Sequence, residues 1–406
     1  MRISFLVVCI CMSIAEMHSQ MGCVDPQANN FDYLASENDG SCTYPFTIQD
    51  LEFLYVLSEA NPNLSENSGI DIADDGEILN INDGGNPAAI IVTAAETGWL
   101  EATIELEGAE NVDWEELAAT DELILVGDFG NNSTGARTDQ RIYVIDRDSL
   151  TDEPWQTVVA GEVAFFFPEQ GQPIPVDLDQ TPWDCEAMFW EDGEIHIFTK
   201  DWQTYTTKHY KLPDEPGYYA AELVEEFDCQ GLITAADISE DRVVMLGYTI
   251  INTIFMYVMW DYEPGLYFSG NKRRIELGMA IDHGQTEGIC FSSELEGYIS
   301  SERFIFANII NEPPQLLTFS IADYMTSVQD IPEGEAPKFW PTVSSGIYQN
   351  NLPLGTLVSL FDSSGRLVSR KNVFTRMTDF GVIEPGVYYA CFLYKERKFT
   401  QKLIIQ

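Results

Sequence analysis

The chain has 406 residues, more than the roughly 150–250 that one core usually needs, so two or more domains are expected. Hydrophobic residues make up 45% of it, which excludes a disordered chain. Lys and Arg number 21 against 66 Asp and Glu, a net charge of −45, and such a polyanion repels phosphates and anionic lipid, which argues against DNA, RNA and acidic membrane surfaces as partners.

Residues 1–20 open with Arg2, run apolar from Ile3 to Ile14 and end in His18, Ser19 and Gln20, the pattern of a signal peptide. That run is too short to span a membrane, and no other stretch approaches about 18 uninterrupted apolar residues, so no transmembrane segment is expected. Cleavage removes Cys9 and Cys11 and leaves Cys23, Cys42, Cys185, Cys229, Cys290 and Cys391 in an exported chain, where disulfides persist. Residues 21–45 form a short Asp- and Asn-rich module. Cys23 and Cys42 bracket a stretch too short and polar for a core of its own, which predicts a covalent staple between them; the other cysteines have no readable partner. Asp25, Asn30, Asp32, Asn38 and Asp39 offer hard oxygens to calcium, although residues of these types equally form turns. The segment from Gly22 to Tyr44, with D-P-Q-A-N-N-F-D and then D-G-S-C, resembles a module that recurs in secreted proteins of bacteria using type IX secretion.

Residues 46–325 contain a repeat. Five segments place an acid before an apolar strand, a turn and a second strand: Ser65 to Asp83, Asp113 to Asp128, Asp184 to Lys200, Ala235 to Tyr248 and Thr286 to Glu302. The acids Glu66, Glu115, Glu186, Asp237 and Glu287 are 49, 71, 51 and 50 residues apart. A period near 50 with four strands per unit predicts an all-β fold, a five-bladed β-propeller, or six-bladed if the long interval hides a blade. In the second unit the strands are expected at Trp114 to Ala118, Leu123 to Gly127, Arg141 to Asp146 and Val163 to Phe167, with inserts at Asp148 to Ala160 and Gly171 to Pro182. The last unit lacks a fourth strand after Leu316 to Ala322, and Phe53 to Leu57, ahead of the first acid, is placed to supply it and close the ring. Asn111 to Leu117, Val126 to Asn132, Gly270 to Ile275 and Gly284 to Ile289 resemble blocks of an uncharacterised propeller family found among type IX secretion substrates. Related sequences often carry His where this chain has Ile81.

Equivalent positions of a propeller share an environment, so the five acids are expected around the central channel. Carboxylates that close raise one another's pKa unless a cation, a basic side chain or water offsets them. Lys200, Arg141 and Arg273 are the candidate basic partners, and Asn82, Asp83, Asp128, Tyr248 and Glu302 lie on or beside the adjacent strands. Three roles compete: acids that accept amides of the neighbouring blade and set its register; a calcium site formed by Glu66, Glu115, Glu186, Asp237 and Glu287 with Asn82; and a calcium-dependent hydrolase of the phosphoesterase, lactonase or glycosidase type, with Trp114, Trp183, Trp190 and Trp202 near the acids. The mature histidines His196, His209 and His283 are scattered without zinc-ligand spacing, and no G-x-S-x-G elbow or phosphate-binding glycine loop is present.

Residues 326–340 carry two prolines before Trp340 and no apolar period, the pattern of a linker. From 341 to 406 there are eight Lys and Arg against four Asp and Glu, a charge of +4, which leaves −49 of the total −45 for the rest of the chain. This asymmetry marks a separate unit. Strands at Thr356 to Phe361, Arg366 to Arg370, Gly386 to Tyr394 and Lys398 to Ile405 predict a small antiparallel sandwich, for which an adhesion or carbohydrate-binding role is the alternative. F-D-S-S-G-R-L-V (Phe361 to Val368), I-E-P-G-V-Y-Y (Ile383 to Tyr389) and the terminal K-L-I-I resemble the C-terminal sorting domain of type IX secretion substrates, although the family usually opens with Asn-Pro after an aromatic residue and a proline and this chain has Trp340-Pro341-Thr342. The resemblance implies recognition by the type IX machinery, passage through the outer membrane, removal of the domain and attachment of the remainder to surface lipopolysaccharide. A secreted, surface-attached module that binds calcium or another ligand is the expected function; oligomeric state is left open.

Overall fold

The structure is a computed structural model, described here for residues 20–32, 34–73, 76–306, 309–325, 338–350, 352, 356–373, 377–394 and 397–406. The expected signal peptide, apart from Gln20, and most of the linker lie outside these residues. The regular structure of the described residues is nearly all β-strand, with only short helices, none of which is long and apolar enough to cross a membrane.

Five sheets carry the middle of the chain, numbered here in the order of their innermost strands. Sheet 1 runs outward from Asn67–Ile72 through Glu77–Asn82 and Ala89–Ala94 to Leu100–Leu106, and sheet 2 from Trp114–Ala119 through Leu123–Asp128 and Arg141–Asp146 to Gly161–Phe166. Sheet 3 comprises Asp184–Glu191, Glu194–Lys200, Thr207–Pro213 and Glu222–Phe227, and sheet 4 comprises Leu232–Ser239, Arg242–Tyr248, Thr253–Trp260 and Asn271–Met279. Sheet 5 comprises Gln285–Phe291, Glu296–Glu302 and Gln315–Ser320, and its outermost strand is Glu52–Val56 from the start of the chain. Each innermost strand packs against that of the next sheet, and that of sheet 5 packs against that of sheet 1, so the sheets form a closed β-propeller.

Side chains of alternate strand positions fill the layer between each pair of sheets. Leu79, Ile90, Trp114 and Leu117 lie between sheets 1 and 2, and Ile142, Phe165, Met188 and Tyr210 between sheets 2 and 3. Phe189, Phe198, Val243 and Phe255 join sheets 3 and 4, and Val244, Ile275, Ile299 and Leu317 join sheets 4 and 5. Leu57, Leu64, Ile78, Cys290 and Leu316 seal sheet 5 against sheet 1. Cys185, Cys229 and Cys290 are free thiols buried in these layers, and Cys391 is a free, half-buried thiol. The two inserts expected in unit 2 diverge. Residues 155–158 of the first pair in parallel with Leu100–Leu106 and cover the edge of sheet 1, whereas the second stays a loop tied down by Val176 and Asp179 amides on the Thr134 and Asn132 carbonyls. Gly217–Ala220 covers sheet 2 in the same parallel manner.

Cys23 and Cys42 are disulfide-bonded. In their module Asp25, Asp32, Asn38 and Asp39 each accept a backbone amide two residues on, as turn formers do, and Asn30 accepts the Thr43 amide across the module. The module sits on sheet 4, where Asn38 bonds Asn271, Gln27 bonds Arg273 and Tyr44 packs on Trp260. The C-terminal sandwich pairs a three-stranded with a five-stranded sheet around a core of its own, including Phe339, Tyr348, Leu360, Phe392 and Leu403.

Candidate functional site: carboxylates at the propeller axis

Every innermost strand carries one β-bulge at the same place, between Asn67 and Gly69, Trp114 and Glu116, Cys185 and Ala187, Ile233 and Ala235, and Thr286 and Gly288. A bulge leaves its extra residue unpaired and re-aims that side chain. The five extra residues are Ser68, Glu115, Glu186, Thr234 and Glu287. The ring of equivalent positions therefore contains three acids and two hydroxyls, which corrects the expected set of five acids. Glu66 lies two residues ahead of its bulge, exposed, where it accepts the Asn86 amide at 2.9 Å. Asp237 lies three residues past its bulge and accepts the amides of Ile238 at 2.7 Å and, in sheet 5, of Phe291 at 2.6 Å.

Blade register is set by these other groups. Ser68 donates to the Glu115 carbonyl of the next sheet and Thr234 to the Thr286 carbonyl, both at 2.9 Å. Asp71, at the position in sheet 1 equivalent to Asp237, accepts the amides of Ile72 and, in sheet 2, of Ala119 at 2.6 Å. Glu116 accepts the amides of Leu117 and Ala236, so it ties sheet 2 to sheet 4 further along the innermost strands.

Glu115, Glu186 and Glu287 face a different environment, at the end of the ring where the innermost strands begin. Lys200, 3% exposed, places Nζ 3.1 Å from Glu186 Oε2 and lies 5.0 Å and 5.2 Å from the ring centres of Trp202 and Tyr248. Burial disfavours the ammonium, but the neighbouring Glu186, Tyr248 and Glu287 outweigh it and hold Lys200 protonated. Glu287 accepts Gln285 Nε2 at 2.5 Å. Glu302 is pushed up to about 8 by burial and then by Glu287 and Asp83.

On the side of sheets 1 and 2, Asp83, Asp113 and Glu115 each bring one carboxylate oxygen within 4.8 Å of the others. Two glycines permit this convergence: a side chain at Gly130 would collide with the Glu115 and Asp113 carboxylates, and one at Gly84 with Asp113. Burial first, then Asp83, raises Asp113 to about 7, while burial together with Glu186, Asp83 and Asp113 raises Glu115 well above the ordinary carboxylate range. The nearby guanidinium is that of Arg137, which the sequence did not single out; it is committed to Asp128 at 2.9 Å and to the Gly130 carbonyl at 2.8 Å. Asp128 also accepts the Asp113 amide at 3.0 Å.

Several expected neighbours are elsewhere. Arg141 pairs with Glu162 at 3.2 Å, and Arg273 lies between Tyr44 and Tyr324 beneath the N-terminal module. Trp114 is fully buried, and Trp190 donates to Asp214. Trp202 does reach the site, donating to Asp184 at 2.8 Å. Asn82 donates to the Asn63 carbonyl at 2.7 Å. His196 and His209 meet at 2.8 Å inside sheet 3, on strands outside the ring. The arrangement at the axis thus offers oxygen ligands only, with one buried ammonium, and the three convergent carboxylates have no cation of their own among the described residues.

No protein-family model and no curated protein matches the chain. Among solved structures it is similar to PorZ, an essential surface component of the type IX secretion system of Porphyromonas gingivalis, at 10% identity over 84% of this chain with a TM-score of 0.36; the chain spans 45% of that protein. It is also similar to the PQQ-bound aldose sugar dehydrogenase of Streptomyces coelicolor (11% identity, 66% of this chain and 98% of that one, TM-score 0.37) and to a Bombyx mori β-fructofuranosidase (9%, 86% and 91%, TM-score 0.38). Likenesses this distant carry no substrate or partner over to this chain.

Proposed function

We propose that this chain is an exported, surface-attached β-propeller that binds a divalent cation, calcium, through Asp83, Asp113 and Glu115 where the innermost strands begin. The observation that carries this is the convergence of three carboxylate oxygens within 4.8 Å, next to two glycines that leave no room for a side chain. Hard oxygen ligands without nitrogen or sulfur suit calcium, whose flexible shell of six to eight oxygens can be completed by water. Hydrolysis would ask for an acid and a base held apart by a substrate, whereas these oxygens converge on one point.

Melting the mature protein in calcium and in chelator tests the proposal. A ligand that binds only the folded state stabilises it by about 2.7 kcal/mol at a hundredfold excess over Kd. Calcium is expected to raise Tm in the wild type and to have no effect in Asp113→Asn and Glu115→Gln, which leave the N-terminal module intact. A wild-type Tm indifferent to chelator would remove the cation.

Export rests on the signal-peptide pattern and the sorting-domain motifs, with the type IX machinery as the partner and lipopolysaccharide as the anchor. Because the sandwich has its own core, a chain lacking residues 341–406 is expected to stay folded and to accumulate in the periplasm. Normal surface levels of that chain, measured by protease accessibility on whole cells, would overturn the assignment.

A further inference from the structure

A cavity of about 300 Å³ opens along sheet 1, from its second strand to its outer edge, with Asn63, Asn82, Asn86, Ile91, Glu105 and Trp155 among its walls. Its size is at the small end of the ~300–1,000 Å³ range of ligand sites and suits a ring-sized ligand. It lies on the face of sheet 1 turned toward sheet 5, since Ile91 packs in the layer that contains Leu316 and Cys290.

Two features of its lining go together. Asn82 is 6% exposed, and its amide nitrogen donates to the Asn63 carbonyl at 2.7 Å. That bond fixes which way round the amide sits, because the flipped amide would set two acceptors against each other. Its Oδ1 is then buried without a hydrogen-bond partner among the described residues, an arrangement that is costly unless a ligand or water supplies a donor. Trp155, by contrast, is 62% exposed. Its strand is laddered to Leu100–Leu106, and the Pro154 carbonyl before it accepts the Thr103 amide, so the indole is presented from an ordered edge.

The charge on this lining is negative. Glu105 adds a carboxylate, no Lys or Arg among the described residues lines the cavity, and Glu66 stands next to it, bonded to Asn86. Such a lining repels anions and calls for hydroxyl donors, while an exposed indole calls for a flat apolar face. A pyranose ring has both. We propose that this cavity binds one sugar ring of a glycan, its C–H face on Trp155 and its hydroxyls donating to Glu105. The site is distinct from the carboxylate trio and stands whether or not a cation binds there.

Saturation-transfer NMR on the mature protein tests this, in chelator, with glucose, galactose, mannose and N-acetylglucosamine each at millimolar concentration. At least one sugar is expected to receive saturation. Trp155→Ala is expected to weaken its binding about tenfold, equivalent to about 1.4 kcal/mol, Trp155→Phe to restore most of it, and Glu105→Gln to weaken it with the fold intact. Absence of transfer to all four sugars, or equal binding by wild type and Trp155→Ala, would overturn the proposal.

Discussion

A chain beginning at Ser58 is expected to melt far below one beginning at Pro45, although it is only slightly shorter. The lost segment contains Glu52–Val56, whose ladder to Gln315–Ser320 is the outer edge of sheet 5, and it contains Leu51 and Leu57, 9% and 1% exposed. Burying two leucines is worth roughly 3–6 kcal/mol. The amides and carbonyls of Gln315–Ser320 would in addition become an unpaired edge. Thr47 and Gln49 also bond the two sides of Glu276 on sheet 4, so the same deletion loosens a second sheet. At about 2–4 °C per kcal/mol for a domain of this size, Tm should fall by roughly 10 °C or more. Both chains lack the disulfide module, so the comparison isolates the closing strand. Equal melting temperatures would mean that sheet 5 is held without it.

This strand was legible in the sequence because a blade needs a fourth strand and the last unit has only three ahead of the linker. The all-β character was legible for a similar reason, since short alternating strands at a period near 50 leave few other architectures. The alignment of the acids was not legible in the same way. Composition draws attention to an acid near each apolar run, but the structural equivalence is set by the bulge, and a one-residue bulge is silent in composition. In sheets 1 and 4 the bulged residue is a hydroxyl, Ser68 or Thr234, which can donate to a carbonyl of the next sheet as an ionised carboxylate cannot. A signal was present: D-W-E at Asp113 to Glu115 and D-C-E at Asp184 to Glu186 share one spacing, which places Asp113 and Asp184 in the same row as Glu66 and Gln285. Two of the expected basic partners miss the ring through distance from the axis. Arg141 and Arg273 stand on the third and fourth strands of their sheets, where a side chain meets the outer strands or the N-terminal module, whereas Lys200 ends a second strand and reaches the ring.

Lys200→Met is expected to have the other large effect, because it removes the ammonium that faces Glu186 at 3.1 Å in a fully enclosed position. Breaking one side of a buried ion pair costs about 3–5 kcal/mol, since the remaining charge is left uncompensated. The pH dependence distinguishes this from a simple packing defect. Carboxyls raised in the folded state, among them Asp113 at about 7 and Glu302 at about 8, bind protons more tightly folded than unfolded. Their contribution to stability is therefore largest at acid pH and is lost as pH rises from the ordinary carboxylate range through 7 and 8. Wild-type Tm, measured in chelator, should fall across that window. Lys200 opposes the fall by holding charge against the ionising carboxylates, so the variant should fall more steeply, with its deficit greatest near pH 8 and least near pH 5. Calcium at the trio should flatten the wild-type slope by taking the place of the protons. A second substitution, Glu186→Leu on top of Lys200→Met, removes the stranded charge and should recover most of the loss, because an apolar pair of similar volume often replaces a buried ion pair without penalty. A Lys200→Met deficit that is the same at pH 5 and pH 8, or a double variant no more stable than the single one, would show that Lys200 acts through packing rather than by neutralising the carboxylates around the axis.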